Sequence, residues 1–131
     1  MPTKRNWCKE LAEEAIAPSV EYPTYSYCNP EREYNGETLI EVNENDYRVR
    51  TLISGAEYRE YDLVVSVRTQ TYDDADALIQ TVMELVSEYL KTEGADYVWN
   101  EEGVTADARG IVEGESFYGY AEFTVNETVR I

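Results

Sequence analysis

Arg59 to Leu90 reads REYDLVVSVRTQTYDDADALIQTVMELVSEYL, and within it the apolar period changes from 2 to about 3.6. The first half belongs to a strand predicted over about Glu57 to Gln70. It sets Tyr61, Leu63, Val65 and Val67 against Asp62, Ser66 and Arg68. The second half is a helix over about 72–92. Thr71 or Asp73 supplies its N-cap, Asp74 and Asp76 lie at its positive end, and Gly94 stops it just after Lys91. Ala75, Leu78, Ile79, Val82, Val86, Tyr89 and Leu90 recur at i, i+3, i+4, i+7, a stripe that must lie on a sheet. A strand feeding directly into a long amphipathic helix therefore sets the fold class.

Working back toward the N-terminus, Thr38 to Val42 reads as a short strand and Asn43 to Asp46 as a turn. Asp46 to Ile53 is a second strand, alternating Tyr47, Val49, Thr51 and Ile53 with Arg48 and Arg50, and Ser54-Gly55 reverses the chain. Residues 18–37 carry Pro18, Pro23 and Pro30 with Tyr22, Tyr25, Tyr27 and Tyr34 between them, which predicts an extended or looped arm. Tyrosines in such an arm either form an interface or lie over the domain's own core. Before the arm, Asn6 caps a short helix over about 7–17. Leu11, Ala15 and Ile16 follow Trp7 at helical spacing, beside a face of Glu10, Glu13 and Glu14, and Pro18 closes it.

Working forward, Tyr97 to Trp99 is a short strand, Val104 to Val112 a longer one, and Gly114-Glu115-Ser116 a turn. Phe117 to Val125 is the last strand, which Val129 and Ile131 extend. Phe117, Ala121, Phe123 and Val125 face one way, Tyr118, Tyr120 and Glu122 the other. The sum is α+β: a single, mostly antiparallel sheet with the long helix and the short N-terminal helix packed on one face. Residues 1–131 form one domain, with neither internal repeat nor linker.

Charge is the strongest compositional signal. Asp and Glu number 27 against 11 Lys and Arg, for a formal net charge of -16 on 131 residues without histidine. The bases are eight Arg and three Lys, and the acids are spread over every element. Self-repulsion on this scale opposes a compact fold in dilute buffer, whereas about 1 M salt shortens its range to about 3 Å. The composition is that of a protein adapted to brine.

The absence of histidine excludes His-based triads and His–metal clusters, and no glycine-rich phosphate loop is present. Asp73-Asp74-Ala75-Asp76 lacks the glycine and terminal glutamate of a calcium loop and reads as helix capping. Asn126-Glu127-Thr128 fits the glycosylation triplet, a match too short to carry weight. Cys8 and Cys28 match no zinc spacing and are expected as unpaired thiols. No signal peptide is expected, because no apolar run follows Lys4 and Arg5. No membrane span is expected either, and an acidic surface disfavours nucleic acid. Neither an enzyme nor a cofactor is predicted.

The element order resembles the tail terminator (tail-completion) family of long-tailed viruses. The residues carrying the resemblance are Arg59 to Leu90, quoted above, and Gly110 to Val125, GIVEGESFYGYAEFTV, which looks like the closing hairpin of such proteins. It extends from Trp7 to Ile131 as a pattern of residue classes, with no signature residues to carry over. It implies a structural virion protein at the neck or tail end, assembled in the host cytoplasm. Such a protein forms a hexameric ring that caps the tail tube and joins it to a head connector or stopper. With the salt signature, the expected source is a tailed virus of a halophilic archaeon. Candidate contacts are Tyr22, Tyr25 and Tyr27 in the arm, the Arg48/Arg50 pair, and Tyr118 with Tyr120. Two alternatives remain open: an acidic DNA-mimic inhibitor of a nucleic-acid-binding enzyme, and another head–tail junction adaptor.

Overall fold

The structure is a computed structural model and describes residues 4–26, 37–107 and 116–130. Among the described residues five strands form one sheet: β1 (Thr24–Ser26), β2 (Leu39–Thr51), β3 (Glu57–Thr69), β4 (Asp96–Asp107) and β5 (Ser116–Val129), in the order β1-β2-β3-β5-β4. β1 pairs parallel with β2, and the other three pairings are antiparallel. Between β3 and β4 runs the long helix α2 (Tyr72–Thr92), preceded in the chain by α1 (Trp7–Glu10). The fold is α+β, with both helices on one sheet face.

Thr71 is the N-cap of α2, its hydroxyl accepting from Asp74 N at 3.1 Å, and Gly94 follows the helix at φ +69°. Ala75, Ile79, Val82, Val86 and Leu90 are buried along the predicted stripe, against Tyr61, Leu63, Val65, Val67, Ala121, Phe123 and Val125. Helix and sheet approach closely at Gly119 of β5, where an added Cβ would stand 2.9 Å from Val67 Cγ2 and 3.1 Å from the Ala75 carbonyl oxygen.

The N-terminal helix departs from simple α geometry. Asn6 caps it as predicted, accepting from Lys9 N, but α1 passes into a π-helical stretch at Leu11–Ile16 and a 3₁₀ turn at Ala17–Ser19. Its buried residues come as pairs every four positions: Trp7-Cys8, Leu11-Ala12 and Ala15-Ile16. A regular α-helix would rotate such pairs by about 40° at each repeat. The wider i→i+5 turn counters that drift and keeps all three pairs on the core. Cys8 is a buried thiol; Cys28 lies outside the described residues.

Two expectations need correction. The strands predicted at 38–42 and 46–53 are a single strand, β2, and the Asn43–Asp46 turn is instead a bulge between Glu44 and Asp46. Likewise 97–99 and the start of 104–112 are one strand, β4, bulged between Trp99 and Glu101. In each case the extra residue, Asn45 or Asn100, is absorbed without breaking the ladder. The segment predicted as an irregular arm contributes β1, with Thr24 opposite Ile40 and Ser26 opposite Val42. The predicted 114–116 turn falls mostly outside the described residues. β5 begins at Ser116 and extends to Val129.

Candidate functional site

Strand alternation sends Arg48 and Arg50 of β2 to the sheet face opposite the helices, together with Tyr58, Glu60 and Asp62 of β3. Arg48 is a hub. Its Nη1 lies 2.6 Å from Asp62 and 2.7 Å from Asp46, and its Nη2 2.8 Å from Glu60. Asp62 also accepts from the Thr124 hydroxyl at 2.9 Å, and Thr124 accepts from Asn100 Nδ2 at 2.8 Å. One polar chain thus crosses β2, β3, β5 and β4. The Arg48 guanidinium holds the Asp62 carboxyl below the usual carboxylate range, and the Thr124 hydrogen bond acts in the same direction. Hydrogen bonds from Asp62, Glu60 and Asp46 raise Arg48 further above its ordinary value.

Arg50, two residues on, has no carboxylate within ion-pair distance among the described residues; its guanidinium lies 5.0 Å from the Tyr58 ring centre. Arg48, Val49, Arg50, Tyr58 and Glu60 line a shallow groove here. Val49, on the helix side of β2 but beyond the helices, is 46% exposed, and Ile53 at the hairpin tip is fully exposed.

Tyr118 and Tyr120 occupy the other half of the same face. Their rings stack at 5.9 Å with an interplanar angle of 20°, and the Tyr120 hydroxyl donates to Glu101 at 3.0 Å. That hydrogen bond is the main cause raising the Tyr120 phenol above its ordinary value. Tyr25 lies on the same cross-sheet row as Tyr120, across Glu41 and Ser66. Arg48 lies instead on the row of Asn126, six residues along β5 from Tyr120, or about 20 Å. The arginine pair and the tyrosine pair therefore form two separate patches. Tyr22 is 44% exposed after the first helix, and Tyr27 lies outside the described residues.

A second polar cluster ties α1 to the end of α2. Arg5 makes a bidentate contact to Glu10 at 2.7 and 2.9 Å, reaches Glu93 at 2.8 Å and stacks on Trp7. The Tyr89 hydroxyl donates to Glu14 at 2.8 Å, with Glu10 at 3.1 Å as its alternative acceptor. The Arg5 hydrogen bond holds Glu10 below the carboxylate range, while burial foremost pushes the Tyr89 phenol up. These contacts fasten elements together. Among the described residues no group of three or more Cys, Asp or Glu side chains is placed to hold a metal ion, and no helix is long and apolar enough to cross a membrane.

Sequence reasoning missed Glu60, Asp62, Thr124 and Asn100 as partners of the arginine patch. Part of the signal was present. Centring the hairpin on Ser54 places Arg48 opposite Glu60 and Arg50 opposite Tyr58, the pairing observed. No protein-family model matches the chain, and no curated protein matches it.

Proposed function

We propose that the chain is a structural virion protein, a ring-forming tail terminator that caps the tail tube and joins the tail to the head connector, in a tailed virus of a halophilic archaeon. The observation that carries this reading is the state of the two sheet edges. β1 covers only Ile40–Val42 of β2, and β4 pairs only with β5, so among the described residues two different strand edges stand open on opposite sides of one small domain. A subunit with two unlike adhesive edges assembles head to tail, and such an interface closes into a ring when its rotation permits. The net charge of -16 supports the brine setting and makes assembly dependent on screening.

The test is sedimentation velocity with negative-stain imaging of the purified protein across a potassium chloride series. Ring-sized particles should appear and sharpen as salt rises. A protein that stays monomeric at every salt concentration, and in dilute buffer captures a DNA-processing enzyme, refutes the ring and establishes the DNA-mimic reading instead.

A further inference from the structure

Resting on the ring reading, we propose that the contact between copies is strand addition: Tyr47–Arg50 of β2 in one copy pairs antiparallel with Asp96–Trp99 of β4 in the next. Both segments are open on their outer sides among the described residues. Of the two arginines of the first segment, Arg48 is already held by Asp46, Glu60 and Asp62, whereas Arg50 has no carboxylate partner among the described residues. Residues 96–107 contain four acids and no base.

Side-chain parity allows registers that differ by two residues, and pairing the uncommitted Arg50 with Asp96 selects one of them. Setting Arg50 opposite Asp96 brings Val49 opposite Tyr97, Arg48 opposite Val98 and Tyr47 opposite Trp99. Within each copy the odd members of this set (Tyr47, Val49, Tyr97, Trp99) lie on the helix side of the sheet, and the even members lie on the other. Apolar and aromatic groups then meet on one face, and Arg50 meets a carboxylate on the other, at ordinary cross-strand distance. Val49 and Val98, 46% and 53% exposed in the single chain, both become covered. The bulges agree as well. Asn45 and Asn100 fall at the same end of the paired segment, so the proposed ladder lies wholly on one side of both bulges. Like-with-like pairing satisfies neither edge, since β4 on β4 sets carboxylates together without a base, and β2 on β2 offers Arg50 no acid from residues 47–56. Head-to-tail order follows.

The test uses two single variants, Arg50→Glu and Asp96→Arg, studied separately and mixed, with assembly read by sedimentation velocity at a salt concentration where the wild-type protein forms rings. Each variant alone faces like charges across every interface, and its assembly midpoint should rise about tenfold or more in concentration. An equimolar mixture alternates the two copies, restores opposite charges at every contact and should return to the wild-type midpoint. That rescue also shows that both variants are folded. If wild-type rings form and neither variant weakens them, this interface is wrong while the ring survives. Loss in Asp96→Arg alone, with particles that stop at dimers, also overturns it. A wild-type chain that never assembles removes both.

Discussion

Replacing Gly119 by alanine tests whether α2 sits on β5 as closely as the structure has it. The new Cβ would lie 2.9 Å from Val67 Cγ2, 3.1 Å from the Ala75 carbonyl oxygen and 3.3 Å from Ile79 Cβ. Favourable carbon–carbon contacts begin at about 3.5 Å. The Ala75 oxygen belongs to the first turn of α2, and Ile79 Cβ is fixed to its backbone, so neither moves without the helix. Overpacking of this kind costs about 1–3 kcal/mol. Alanine recovers about 0.5–1 kcal/mol of the conformational entropy penalty of glycine in a strand. Because backbone stands in the way, the upper part of the overpacking range, about 2–3 kcal/mol, applies, and the net loss is about 1–2.5 kcal/mol, a fall in Tm of roughly 3–10 °C for a chain of this size.

Gly103→Ala is the matched control on β4. Its Cβ would meet only the far end of the partly exposed Tyr120 side chain, the hydroxyl oxygen at 3.1 Å and ring carbons at 3.3 Å, and that ring can swing outward. Its stability should stay within about 0.5 kcal/mol of wild type. Urea unfolding and thermal melts of all three proteins, at one fixed high salt concentration, decide the matter. A Gly119→Ala protein as stable as wild type, or no worse than Gly103→Ala, would refute the close approach of helix and sheet.

Three further outcomes are expected. Thr71→Ala removes the hydroxyl that caps α2 and should lower stability by about 1 kcal/mol in urea unfolding, with Thr71→Ser close to wild type. Tyr61→Phe deletes the hydroxyl that donates to Glu127 at 2.5 Å from a buried ring, and should cost about 1–3 kcal/mol in the same assay; an unchanged midpoint would remove that bond from the account. Glu10 and Asp62 both titrate below the carboxylate range when folded. Their stabilisation is therefore complete above about pH 4–5 and is lost as pH falls through the folded values. The double variant Glu10→Gln/Asp62→Asn should show a shallower loss of Tm on acidification than wild type; parallel acid limbs would contradict this.

The long helix and β3 were legible because each keeps one period throughout, 3.6 or 2, over a run long enough to fix its buried face. β2 and β4 were misread as pairs of short strands for a specific reason. Asn43-Glu44-Asn45-Asp46 has the composition of a turn, and in isolation it is indistinguishable from one. The bulge nevertheless leaves a trace. Buried Ile40 and Val42 are even-numbered, whereas Tyr47 and Val49 on the same face are odd, so the parity flips inside a continuous β pattern. Tyr97 and Trp99 pass to Val104 in the same way across Asn100. β1 was illegible because three residues paired to the backbone of β2 carry no periodicity. Of the candidate site, the sequence marked the charged and aromatic residues of the sheet face. It did not show that β3 and the length of β5 separate the arginines from the tyrosines.

The arginine bias of the chain acquires a structural meaning from its hubs. Arg5 holds Glu10 and Glu93, Arg48 holds Asp46, Glu60 and Asp62, and the buried Arg59 holds Glu57 at 2.8 Å with Glu127 at 3.7 Å. Seven carboxylates share three guanidiniums, each joining elements distant in sequence or across the sheet. A planar fork with five donors can serve several acceptors in fixed directions, whereas an ammonium offers a single point of charge. In a chain short of bases, each cation that organises several acids is worth more to the fold as arginine than as lysine. The remaining carboxylates repel one another, and under the ring proposal that repulsion would oppose assembly until salt screens it. Arg50 stands outside this arrangement: it is exposed, rests against Tyr58 and forms no ion pair with its own described residues. Under the ring proposal, a carboxylate of a neighbouring copy is the partner that Arg50, unlike the three hubs, does not find within its own described residues.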